Sequence, residues 1–171
     1  MKQRVLIVDD DESVRESLKK VLAGAGYEVT TAADGQEAVT QFVPGQIDLV
    51  LLDLNLPFRS GWDVFERLTT QHPTIPLIII TGLPDQYPTA LAAGAGALME
   101  KPIDAPALLK TMNELLAEPP EARLRRMCGY QQDTKRLRPL EASAAGRLHT
   151  APIRFRQVSP ATQGAAPGRR R

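Results

Sequence analysis

Three runs of four apolar residues constrain this chain most: Val5-Leu6-Ile7-Val8, Leu49-Val50-Leu51-Leu52 and Leu77-Ile78-Ile79-Ile80. Each is strand length, β-branched in part and free of polar alternation. Such a strand is buried on both faces, which means a parallel sheet held between two helix layers. The intervening segments read as helices. Val14, Leu18, Val21 and Leu22 recur at helical spacing, and Gly24 and Gly26 follow them. Asp34 caps a second helix containing Ala38, Val39 and Phe42, stopped by Pro44-Gly45. A third helix spans about 61–70, a short fourth about 85–93, and Asp104 caps a fifth with Leu108, Leu109, Met112, Leu115 and Leu116. Weaker strands fall at 28–31 and 97–99. The order is (βα)5, an α/β doubly wound sheet. Runs of four are far short of the roughly 20 apolar residues that a membrane helix needs. The first apolar run meets Asp9 at once, unlike a secretory leader, and Cys128 has no second cysteine to pair with. A reducing cytoplasm, without membrane attachment, is the expectation.

In open parallel sheets ligands gather beyond the carboxyl ends of the strands. Asp9, Asp10 and Asp11 follow the first strand, Asp53 the third, Thr81 the fourth, and Lys101-Pro102 the fifth. Each has a plainer role taken singly: a helix cap for an aspartate, a strand position for a threonine, a solvated surface lysine. Their coincidence at four successive strand ends favours a site. Clustered carboxylates repel and call for a cation, and a hard divalent ion such as Mg²⁺ takes oxygen ligands. A carboxylate can also attack phosphorus, with an ammonium and a hydroxyl stabilising the transferred group. Gly82, beside Thr81, leaves room for that group.

Val5-Leu6-Ile7-Val8-Asp9-Asp10-Asp11, Leu51-Leu52-Asp53-Leu54-Asn55-Leu56-Pro57 with Gly61, Ile80-Thr81-Gly82 and Lys101-Pro102 match in order and spacing the motifs of one family. Residues 3–118 resemble the receiver domain of two-component response regulators. The resemblance implies a flavodoxin-like fold with strand order 2-1-3-4-5. It implies that Asp53 is phosphorylated by a sensor histidine kinase or phosphotransfer protein. Asp10 and Asp53 would ligate Mg²⁺ with the backbone carbonyl of Asn55, and Asp9 would act through a metal-bound water. Thr81 and Lys101 would contact the phosphoryl group, and Lys101-Pro102 would be a cis peptide. Such a receiver assists its own phosphorylation and slow autodephosphorylation without being an enzyme on other substrates. An aspartate-nucleophile phosphatase wants a second Asp two residues after its nucleophile, and this chain has Asn55 there. A receiver-fold scaffold that is never phosphorylated is the other alternative, and the intact Asp10, Asp53, Thr81 and Lys101 set argues against it.

One departure stands out. Receivers often carry Tyr or Phe three residues before the lysine, and here that position is Leu98. Phe58 and Tyr87 are the nearest aromatics, but neither aligns with it. Asp11 reads as a helix cap rather than a ligand. The family's usual contact surface, for a downstream protein partner, would be drawn from about Asp85 to Ala117.

Charge divides the chain. Residues 1–120 carry 9 Lys+Arg and 17 Asp+Glu, whereas residues 121–171 carry 12 and 3. The second stretch has only seven Leu, Ile, Val or Phe among 51 residues, too few to bury a core of its own. Pro119-Pro120 marks the expected boundary, with a receiver domain at 1–118 and a basic, largely disordered tail at 119–171. A short helix near Glu121 to Met127 is the one element expected there. The tail shows no helix-turn-helix pattern and no zinc-type Cys/His spacing. With only Tyr130 and Phe155 to stack on bases, nucleic-acid binding is its weaker reading.

Overall fold

The computed structural model describes residues 2–58, 60–128 and 134–137. Strands β1 (Arg4–Val8), β2 (Glu28–Ala32), β3 (Leu49–Asp53), β4 (Leu77–Thr81) and β5 (Ala97–Glu100) alternate with helices. These are α1 (Glu12–Gly24), α2 (Gly35–Gln41), α3 (Gly61–Gln71), α4 (Tyr87–Ala92) and α5 (Ala105–Ala117). Beyond them lie α6 (Pro120–Met127) and a short strand β6 (Lys135–Leu137). The sheet is parallel throughout, in the order β2-β1-β3-β4-β5-β6.

The apolar runs produce this layering directly. Strand side chains alternate between faces. Leu6, Val8, Val50, Leu52, Ile79 and Leu98 pack with Ala38, Val64, Phe65, Leu68 and Ala90 of α2, α3 and α4. Val5, Ile7, Leu49, Leu51, Ile78 and Met99 pack with Val14, Leu18 and Leu22 of α1 and Leu108, Met112 and Leu115 of α5. β3 and β4 are buried along their whole length, so the only polar groups they can offer to a ligand are at their last residues, Asp53 and Thr81.

Local signals set the helix starts. Asp11 accepts from the backbone N–H groups of Ser13 and Val14 and begins α1. Asp34 accepts from Glu37 N–H, and Ser60 from Trp62 N–H. Asp104 stands at the N-cap of α5 but makes no side-chain cap hydrogen bond.

The expected order 2-1-3-4-5 is present, but the sheet does not stop at β5. The expected helix is there as α6. Its Arg126 pairs with Glu118 through both terminal guanidinium nitrogens, and its backbone lies against Gly94, where an added Cβ would stand 2.8 Å from Met127 Cα. The strand β6 was not expected. Lys135-Arg136-Leu137 has one apolar residue, and it is β5's open edge that makes it a strand. Residues 129–133 and 138–171, the rest of the expected tail, lie outside the described residues.

Candidate functional site at the carboxyl ends of the strands

The strand ends bring the predicted residues together. Asp9, Asp53 and Thr81 are 2%, 3% and 0% exposed, while Asp10 is open to solvent. One carboxylate oxygen from each of Asp9, Asp10 and Asp53 lies within 4.8 Å of the others. Lys101 Nζ donates to Asp53 Oδ2 at 2.5 Å and to Asp9 Oδ2 at 2.9 Å. The other oxygens are held by the backbone: Asn55 N–H donates to Asp53 Oδ1 at 2.9 Å, and Asp11 N–H to Asp9 Oδ1 at 2.9 Å. Both buried carboxylates are thus fixed in orientation, as buried charge requires.

Burial pushes the Asp9 carboxyl above the ordinary aspartate value, against the hydrogen bond and charge of Lys101, which pull it down. The nearby Asp53 charge pushes the same way as burial. For Lys101, burial presses the ammonium down, but the hydrogen bonds and charges of Asp53 and Asp9 outweigh it and leave it raised. The lysine therefore stays charged and serves as the cation of the cluster.

Thr81 Oγ1 accepts from Leu83 N–H at 3.0 Å, and Thr81 carbonyl oxygen accepts from Lys101 N–H at 2.9 Å. The Lys101–Pro102 peptide is cis. A Cβ built on Gly82 would meet nothing within 4 Å, so the space beside Thr81 is open. Asp11 is engaged as the cap of α1. Asn55 contributes its N–H to the aspartate.

Two supports of the site have roles that the sequence reading did not assign, although it counted Gly61 in the motif. Gly61 crosses so close beneath Asp53 that a Cβ there would sit 2.3 Å from the Asp53 carbonyl oxygen, so only glycine allows this approach. Arg15 donates from one turn into α1 to the Asp9 carbonyl oxygen at 2.6 Å. An exposed-looking arginine in a helix gives no such sign in sequence. Leu98 is buried against the α2–α3–α4 face. Tyr87 is partly buried against the same cluster, whereas Phe58 is 97% exposed.

The donor set suits a hard divalent cation: three carboxylates converge, two of them buried, with a single lysine to balance them. Among the described residues no helix is long and apolar enough to cross a membrane.

Comparison with known proteins agrees with this geometry. The family model of the response regulator receiver domain matches residues 5–113. The transcriptional regulatory protein DltR of Streptococcus agalactiae is 37% identical over 108 residues, covering 62% of this chain and 48% of DltR. The response regulator MprA of Mycolicibacterium vanbaalenii is 36% identical over 118 residues, 68% of this chain and 51% of MprA. The chain thus matches about half the length of these curated relatives. Among solved structures, a CheY-like receiver domain protein from Methanospirillum hungatei is 33% identical with a TM-score of 0.64, covering 68% of this chain and 94% of that one. The response regulator TrrA of Thermotoga maritima, solved in complex with Mg(2+)-BeF, is 31% identical with a TM-score of 0.62, covering 66% and 98%. Sequence, topology and strand-end geometry lead to one assignment: this chain belongs to the response regulator receiver domain family of two-component systems.

Proposed function

We infer that this chain is a phosphorylation-switched receiver whose phospho-acceptor is Asp53. The observation that carries the reading is the state of that carboxylate. It is 3% exposed, held by Asn55 N–H on one oxygen and Lys101 on the other, beside Asp9 and Asp10, with Thr81 at the end of the neighbouring strand. In the proposed step an Asp53 oxygen attacks the phosphorus of a phosphohistidine on a sensor kinase or phosphotransfer protein. The P–N bond breaks, the P–O bond of an acyl phosphate forms, and the histidine leaves with its electron pair. Lys101 neutralises charge on the transferred group, and the Thr81 hydroxyl donates to one of its oxygens. Asp10, Asp53 and the Asn55 carbonyl would hold Mg²⁺, with Asp9 acting through a water. When bound, Mg²⁺ supplies charge neutralisation at the phosphoryl oxygens. Slow self-dephosphorylation belongs to the same site. The Mg(2+)-BeF complex of TrrA, a relative of the same fold, supports this reading.

The receiver unit is residues 1–118, and 119–171 is an appended basic segment. A cytoplasmic setting and a downstream protein partner on about Asp85 to Ala117 go with the reading. The test is intact mass after incubation with Mg²⁺ and acetyl phosphate. A single phosphoryl adduct is expected on wild type and none on Asp53→Asn. No adduct on wild type, with Mg²⁺ binding verified, would overturn it in favour of a scaffold.

A further inference from the structure

We propose that residues 134–137, which include β6, form a strap that closes the β5 edge in the resting protein and is loosened by phosphorylation at Asp53. The proposal rests on the phospho-acceptor reading above. Its first observation is where β6 lies. It pairs in parallel with β5, Ala97 to Lys135, Leu98 to Arg136 and Met99 to Leu137. It therefore occupies, from within the chain, the sheet edge lying between α4 and α5. Any protein that docks on that edge by adding a strand or packing along it must first displace the chain's own segment.

The fastenings of β6 lie on both faces. On the α5 face, Lys135 pairs with Glu114, and Leu137 packs against the core. On the α4 face, Arg136 pairs with Glu100 at 2.9 Å, and its guanidinium lies 5.1 Å from the Tyr87 ring centre. The Tyr87 hydroxyl donates to the Thr134 carbonyl oxygen at 3.1 Å, and Thr134 Oγ1 donates to the Ala95 carbonyl oxygen at 2.8 Å. The charged fastenings are half-exposed. Pairs of this kind contribute little each, so the strap can open without the domain unfolding.

Two of these fastenings begin one step from the site. Glu100, which holds Arg136, precedes Lys101, which bridges Asp53 and Asp9. A phosphoryl group brings roughly 1.5 to 2 negative charges and redraws the contacts of Lys101. The second route runs through Thr81. Its hydroxyl receives Leu83 N–H, the start of the loop that leads to Tyr87. When the Thr81 hydroxyl turns to donate to a phosphoryl oxygen, its oxygen swings away from Leu83 N–H and frees the loop that positions Tyr87 under Arg136. At the β5 position where receivers often carry Tyr or Phe, this chain has Leu98. Tyr87 on α4, tied to the strap, gives this chain an aromatic that both the site and the edge can sense.

The experiment is hydrogen exchange of the backbone amides of residues 134–137 in the full chain. It is run with and without Mg²⁺ and acetyl phosphate, with intact mass measured on the same samples. The expected result is at least about tenfold faster exchange at 134–137 in the phosphorylated protein, with β1 and β3 unchanged and no effect on Asp53→Asn. Arg136→Glu should give the same acceleration without phosphodonor, and Glu100→Arg combined with Arg136→Glu should reverse it. An adduct by mass with unchanged or slower exchange at 134–137 overturns the strap's control by Asp53 while the receiver reading stands. Unaltered protection in Arg136→Glu overturns the Glu100 fastening and the proposal with it. No adduct on wild type removes the phospho-acceptor reading itself, and this proposal falls with it.

Discussion

Two sets of ion pairs flank the peptide between Glu100 and Lys101, and they are built to opposite ends. On one side Lys101 joins two carboxylates that are each 3% exposed in their side chains. On the other, Arg136 meets Glu100 with both side chains about a third exposed. The chemistry is the same, cation to carboxylate at hydrogen-bond distance, and the surroundings differ. Buried partners cannot exchange their contacts for water, so the first set is fixed. Exposed partners can, so the second holds only while it is undisturbed.

Removing one member of each set separates them. Lys101→Met leaves two buried carboxylates without their cation, and a loss of about 3–5 kcal/mol is expected in denaturant unfolding without Mg²⁺. Adding Mg²⁺ should restore part of it. Gly61→Ala forces a Cβ against the backbone of Asp53 and Leu54 and should cost about 1–3 kcal/mol, together with lower acetyl phosphate reactivity. Arg136→Ala should cost less than about 1 kcal/mol. If it costs as much as Lys101→Met, the distinction between a fixed and a releasable set is wrong. The smallest effect is in pH. Lys101 is raised above its ordinary 10.5, so its stabilising contribution is complete below that value and is lost as the pH climbs through the raised one. The stability gap between wild type and Lys101→Met should therefore narrow above about pH 10.5.

What the sequence showed and concealed follows the same division. The strands legible in it were those whose burial is written in their own residues: β1, β3 and β4 are apolar on both faces. The strand-end site was legible because Asp9, Asp53 and Thr81 are each the first polar residue after such a run, and Asp10 and Lys101 stand beside the ends of β1 and β5. The strap was not, since β6 carries two cations in three residues, and its pairing depends on an edge contributed by a segment 38 positions earlier in register. Gly61 was visible as a motif residue, but the reason it must lack a side chain was not, since that comes from the Asp53 backbone lying against it. Arg15 reaches Asp9 only because α1 turns back over β1. Local pattern reports what a segment buries and does not report what another segment lays against it.

The direction of β6 along β5 has a consequence for the behaviour of the protein at high concentration. The outermost strand on that side of the sheet reads Lys-Arg-Leu, and two adjacent cations discourage sheets of different molecules from growing edge to edge. Beneath it lies Ala97-Leu98-Met99-Glu100, with three fully buried residues. A chain shortened to end at residue 118 would trade a repulsive, hydrated margin for a sticky one. It should cloud on storage and elute early in gel filtration, while the intact chain stays clear.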